Sequence, residues 1–126
     1  MLIFGHPAIP APRFRPIQGI DQIAAIPASE VVYFDASMDA NRALGCHCHQ
    51  EKVAYAVKIG RISELLLYAN LGASYVILED FLQSFQQIAD HYLLDTKILV
   101  TIEKESQIEE VAKLGIDGVI FSHFLA

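Results

Sequence analysis

Lys58 and Glu79 are the residues of this chain best placed to do chemistry. Lys58 ends the apolar run "VAYAVKI" (53–59) and Glu79 ends "SYVILE" (74–79). By strand alternation Lys58 shares a face with Ala54 and Ala56, where a lysine charge is costly unless an acid meets it. Glu79, on the adjoining strand end, is the candidate for that acid. Such a pair can act as a Schiff-base or phosphate-binding lysine with an acidic partner. It can equally be a strand-end salt bridge worth under about 1 kcal/mol. Parallel α/β folds place their ligands at the C-terminal ends of their strands. The same edge there receives Asp35 and His123 as further catalytic candidates, and Arg61, Thr101 and Ser122 as ligand-binding candidates. Neither Thr101 nor Ser122 has an assignable base, so no nucleophile is expected.

The second chemical cluster is "GCHCHQEK" (45–52), which holds both cysteines and two of the five histidines. The apolar positions Ala40, Leu44 and Cys48 predict one helix face running through Gly45, with Cys48 as a small buried hydrophobe. Adjacent helical residues point about 100° apart, so only Cys46 and His49 could share an ion. A crossover helix ends at the edge opposite Asp35 and His123. Five strand residues at about 3.3 Å each put roughly 15 Å between the two edges. The expectation is therefore a helix end without metal, and no cofactor.

The elements behind these residues follow from two alternating periods. Nearly continuous apolar runs, "VVYFD" (31–35), the two already quoted, "KILVTI" (97–102) and "GVIF" (118–121), suit strands buried on both faces. Between them lie helical stripes: Ile62, Leu65, Leu66 and Ala69; Leu82, Phe85, Ile88, Ala89 and Tyr92; Ile108, Val111 and Ala112. Asp80 with Gln83, and Ser106 with Glu109, read as capping boxes, while Gly72 and Gly115 fall where a left-handed residue ends a helix. The segments "ANLGASYVIL" and "AKLGIDGVIF" look like two copies of one helix-turn-strand unit. Strand, helix, strand in alternation predicts a parallel sheet built from βαβ crossovers. The expected fold is α/β: a small three-layer sheet of five or six strands, flavodoxin-like, receiver-like or half-barrel-like.

The first thirty residues differ. Pro7, Pro10, Pro12 and Pro16 bar a central strand or helix interior. Ile3, Phe4, Ile9 and Phe14 need an apolar surface to cover them, so residues 1–17 are expected to be an extended arm packed on folded structure. "GIDQIAAI" gives a short helix, and residues 18–126 form the βα repeat of a single domain.

Two families resemble this pattern at fold level. "AVKIGRISELLLYANLGASYVILED" and "IEEVAKLGIDGVIF" resemble consecutive units of phosphate-binding (β/α) barrels. Eight such units exceed 126 residues, and "SHFLA" stands where those barrels carry a glycine-rich phosphate loop. "LGIDGVIFSHF" is similar to the end of response-regulator receiver domains. That likeness implies an acidic pocket, with Asp35 at the first strand, Glu79 near the phosphoacceptor position and Thr101 as the hydroxyl. Ser122 and His123 occupy the place of the receiver's Lys-Pro pair.

Composition bounds the function. With 9 basic against 15 acidic residues and no basic cluster, nucleic acid is not an expected partner. The apolar stretches are too short for a membrane span, and "MLIFGHPAIP" lacks the basic start of a signal peptide. A cytoplasmic location is expected. The 53% apolar content in a small domain favours a homodimer. The leading expectation is a non-enzymatic binding or assembly module. The alternatives are a small phosphate- or carbonyl-handling enzyme using Lys58 and Glu79, or a degenerate receiver-like signalling domain.

Overall fold

The computed structural model describes residues 1–126. The five expected strands form as β3 (Val31–Asp35), β4 (Tyr55–Lys58), β5 (Tyr75–Leu78), β6 (Lys97–Ile102) and β7 (Gly118–Phe121). Helices α1 (Ala43–Gln50), α2 (Ile62–Asn70), α3 (Gln83–His91) and α4 (Gln107–Lys113) connect them. The arm supplies two more strands, β1 (Leu2–Phe4) and β2 (Phe14–Pro16), so the sheet has seven rather than five or six. All pairings are parallel, in the order β1-β7-β6-β5-β4-β3-β2. The prolines are compatible with this because β1 and β2 are the two edges, where a missing N–H costs no ladder bond. "GIDQIAAI" contains a 3-10 helix, Ile20–Ala25.

The sheet curls into a half-barrel. Seven strands laid flat at about 4.8 Å spacing would hold the edges roughly 29 Å apart. Instead the Phe4 and Phe14 rings, one on each edge strand, have centroids 5.1 Å apart. Both rings also meet Tyr75 from the middle of the sheet, at 5.3 and 5.5 Å. The inner face is thus filled by Phe4, Phe14, Ala56, Ile77, Leu99 and Ile120, closed over by Phe124 and Leu125. The buried residues of α1–α4 all pack on the other face, with Val57, Val76, Val100 and Val119. Two layers replace the expected three. The reason is strand order. From β2 to β7 each new strand lies beside the last, and right-handed crossovers then place every helix on one face. A third layer needs the order to reverse.

The arm is integral to this core. Phe4 and Phe14 are 4% and 1% exposed, although Ile9, expected to be covered, is 40% exposed. Gly118 lets β1 approach β7: a Cβ there would lie 2.7 Å from both the Cβ and the carbonyl oxygen of Leu2.

Gly72 and Gly115 end α2 and α4 in the left-handed region as expected, with φ of 75° and 73°. The caps differ from expectation. Neither Asp80 nor Ser106 caps a helix with its side chain, and Leu82, not Asp80, borders α3. Long side chains within the first turn reach back instead. Glu64 Oε1 accepts from the Gly60 and Arg61 amides, and Gln107 Oε1 from those of Glu103 and Lys104. These bonds tie the segments that lead into α2 and α4 to the first turn of each helix.

Candidate ligand-binding cleft

A cleft of about 760 Å³ opens at the C-terminal ends of β3, β4 and β5. The segment 36–42, between β3 and α1, forms one wall. Asp35 starts it, its Oδ1 accepting from the Ser37 amide at 2.9 Å. Asn41 and Arg42 then take consecutive left-handed conformations, φ 55° and 58°. That backbone costs roughly 1–2 kcal/mol per residue for most side chains, less for asparagine. It also breaks the predicted helix face: Ala40 lies outside α1 and is exposed, while Leu44 and Cys48 are buried as expected.

Asp39 holds this unusual turn. It is 2% exposed, and its carboxylate accepts from the Leu44 amide at 2.6 Å, the Gly45 amide at 3.2 Å and the Tyr68 hydroxyl at 2.8 Å. Burial, and then the bond to Asp39, push the Tyr68 phenol up, so the hydroxyl remains a donor. Gly45 serves the same arrangement, because a Cβ there would lie 2.8 Å from the Tyr68 ring. The glycine of "GCHC" is therefore a packing requirement. The Arg42 guanidinium sits 5.6 Å above that ring, within cation–π range. Arg42 Nε is buried with no hydrogen-bond partner.

The opposite wall carries the expected pair. Lys58 Nζ donates to Glu79 Oε1. This hydrogen bond, outweighing partial burial, holds the ammonium above the usual lysine range. Tyr33, on the neighbouring strand, is pushed up by burial, with Lys58 opposing the shift. Arg61 and Asp80 complete the rim. No carboxylate lies within 4.0 Å of either Arg42 or Arg61, although five carboxylates share the cleft. Four of the five are engaged: Asp35 and Asp39 as above, Glu64 by two amides and Glu79 by Lys58.

Of the residues singled out in the sequence, the fold gathers Asp35, Lys58, Arg61 and Glu79. Thr101, Ser122 and His123 do not line the cleft. Ser122 Oγ lies 3.4 Å from Glu103 Oε1, and the His123 Nε2 contacts the Gly5 carbonyl at 3.1 Å. Asp39, Arg42 and Glu64 were missed. The available signal was "DANRAL": an acid five residues before the first buried helical leucine suggests a cap, but the Ala40 stripe hides it.

Cys46 and His49 stand on α1, away from this cleft, and no three His, Cys, Asp or Glu side chains gather closely enough to hold a metal ion. Cys48 is fully buried and its thiol is pushed up to about 11 by burial, then by Asp39. Both cysteines are free thiols. No model of a known protein family matches this chain and no curated protein matches it, which leaves the chemistry of the cleft as the ground for a functional reading.

Proposed function

We propose that this protein is a non-enzymatic cytoplasmic binding module whose cleft takes a small molecule bearing a carboxylate or phosphate group. The observation that carries this reading is the pair of unpaired arginines. Arg42 and Arg61 face a cleft whose acids are mostly committed to backbone amides and to Lys58. The Arg42 Nε has no acceptor within the chain, so no carboxylate of the protein competes with a ligand for this guanidinium. Guanidinium forks match carboxylate and phosphate geometry. The strained Asn41–Arg42 backbone fits the same role, since strain of this kind concentrates at binding sites.

Lys58 adds positive charge rather than a nucleophile. A lysine must lose its proton to attack a carbonyl, and Glu79 keeps that proton on. Phosphotransfer of the receiver kind is disfavoured because Ser122 and His123 stand in place of the Lys-Pro pair and Asp35 stands alone at the end of its strand. Free thiols at Cys46 and Cys48 suit a reducing compartment. No helix is long and apolar enough to cross a membrane.

Thermal melts with inorganic phosphate or succinate at millimolar concentration test the reading. The wild type should be stabilised, by about 2.7 kcal/mol when ligand reaches 100 times its Kd. Arg42→Gly, which suits the left-handed turn, and Arg61→Ala should each remove most of that response. Failure of both anions to stabilise the wild type, or equal stabilisation of the variants, would sink it.

A further inference from the structure

Tyr68, on α2, is fully buried and does not line the cleft, yet it holds the wall that carries Arg42. Its hydroxyl donates to Asp39 Oδ2 at 2.8 Å. The same carboxylate accepts from the Leu44 and Gly45 amides, just beyond the left-handed pair Asn41–Arg42. The ring packs against Gly45, where a Cβ would lie 2.8 Å from it. One face of the ring lies under the Arg42 guanidinium, with Cζ 5.6 Å from the centroid. The ring itself has little freedom. Phe34 of β3 and Tyr55 of β4 meet it edge to face, with centroids 6.1 and 6.5 Å away.

This arrangement does for Arg42 what an ion pair could not. An arginine loses rotamer freedom when it grips a ligand, and that cost weakens affinity unless the side chain is held beforehand. A carboxylate would hold it but would occupy the N–H groups that a ligand needs. An aromatic ring attracts the guanidinium through its face and leaves the N–H edge free. No carboxylate lies within 4.0 Å of Arg42 and no protein acceptor meets its Nε, so the Tyr68 ring is the group that steadies this charge.

We propose that Tyr68 is a positioning residue for anion binding, acting on Arg42 by two routes. The hydroxyl, through Asp39, fixes the turn from which the side chain leaves, and the ring fixes the guanidinium at its far end. A leucine at this helix position would fill the core and supply neither. The inference rests on the reading of the cleft as an anion site.

Calorimetric titration of the full chain with succinate and with inorganic phosphate tests it. The variants are Tyr68→Phe, which keeps the ring, and Tyr68→Leu, which keeps neither ring nor hydroxyl, each made with Arg42 present and with Arg42→Gly. Tyr68→Leu should weaken anion binding roughly 5- to 30-fold, the effect of a partly desolvated cation–π contact. Tyr68→Phe should lose a smaller part. In Arg42→Gly, whose residual affinity comes from Arg61 and is read at higher anion concentration, neither should weaken binding further. Tyr55→Phe removes another buried hydroxyl of the same aromatic cluster, one that donates to the Leu71 carbonyl, and should bind as the wild type does. Should the leucine variant fail to fold, the phenylalanine variant carries the same comparison. Wild-type affinity in every Tyr68 variant that folds overturns the inference and leaves the anion reading standing. So does a loss that persists without Arg42 or is matched by Tyr55→Phe. A wild type that binds neither anion removes the reading and the inference together.

Discussion

The two ends of the C-terminal sheet edge carry similar chemistry and use it differently. At β3–β5 stand an acid, a lysine and a second acid; at β6–β7 stand Thr101, Ser122 and His123. The first end is a cleft because residues 36–42 rise from β3 as a wall before α1 begins. At the second, Glu103–Ser106 turns directly into α4, and the 3-10 helix Ser122–Leu125 folds over the inner core. His123 there contacts the arm. Polar residues at these strand ends line a cleft only where the following loop builds a wall, and a buried carboxylate holds that loop in place.

The strongest way to break this comparison is to remove Asp39. Asp39→Ala strands two amides and the Tyr68 hydroxyl, and should cost about 3–5 kcal/mol in urea titrations. Ser122→Ala at the other end should stay within about 0.5 kcal/mol. Equal effects would show that both ends are ordinary surface.

A smaller effect tests the packing of α1 beneath the cleft. Cys48 holds its proton to about 11 in the folded chain, against 9.0 for a free thiol. The raised folded value means that its contribution is complete below pH 9 and is lost as pH climbs from 9 towards 11. The total is about 2–3 kcal/mol. Urea midpoints of the wild type should fall over that range more steeply than those of Cys48→Ala. Matching slopes would place the loss in other groups, such as Tyr55 and Tyr68, which burial also pushes up.

The smallest effect belongs to the pair that the sequence made most prominent. Lys58 and Glu79 have side chains 31% and 67% exposed, so solvent screens their attraction. Lys58→Met should change stability by less than about 1 kcal/mol. Whatever the pair contributes should persist below about pH 10.5, the ordinary lysine value, and fade above it. A larger loss at neutral pH would mean that the cleft is tied together by this ion pair rather than by Asp39.

Much of this molecule was legible in the chain. "VVYFD", "KILVTI" and "GVIF" became strands with their expected bounds, and Lys58 met Glu79 because both end neighbouring strands. Those features depend on local periodicity and on residues a strand apart. Asp39 escaped notice because its partners, Leu44, Gly45 and Tyr68, are recognisable as partners only once α1 and α2 pack together. Tyr92 escaped for the opposite reason: a stripe of the right period said buried, and α3 ended one residue too soon.

The sequence by itself determined the alternation of strands and helices, the parallel sheet, the glycine-ended turns and the need to bury Phe4 and Phe14. Each depends on backbone stereochemistry or on apolar side chains that must leave water, wherever the chain goes. Only the tertiary structure decided that the arm splits between both sheet edges, that all four helices share one face, and that Arg42 meets the Tyr68 ring but no carboxylate. These depend on which strands lie side by side and on how far the sheet curls, and both are set by the packing of aromatic rings ten and more residues apart, beyond the reach of any local pattern.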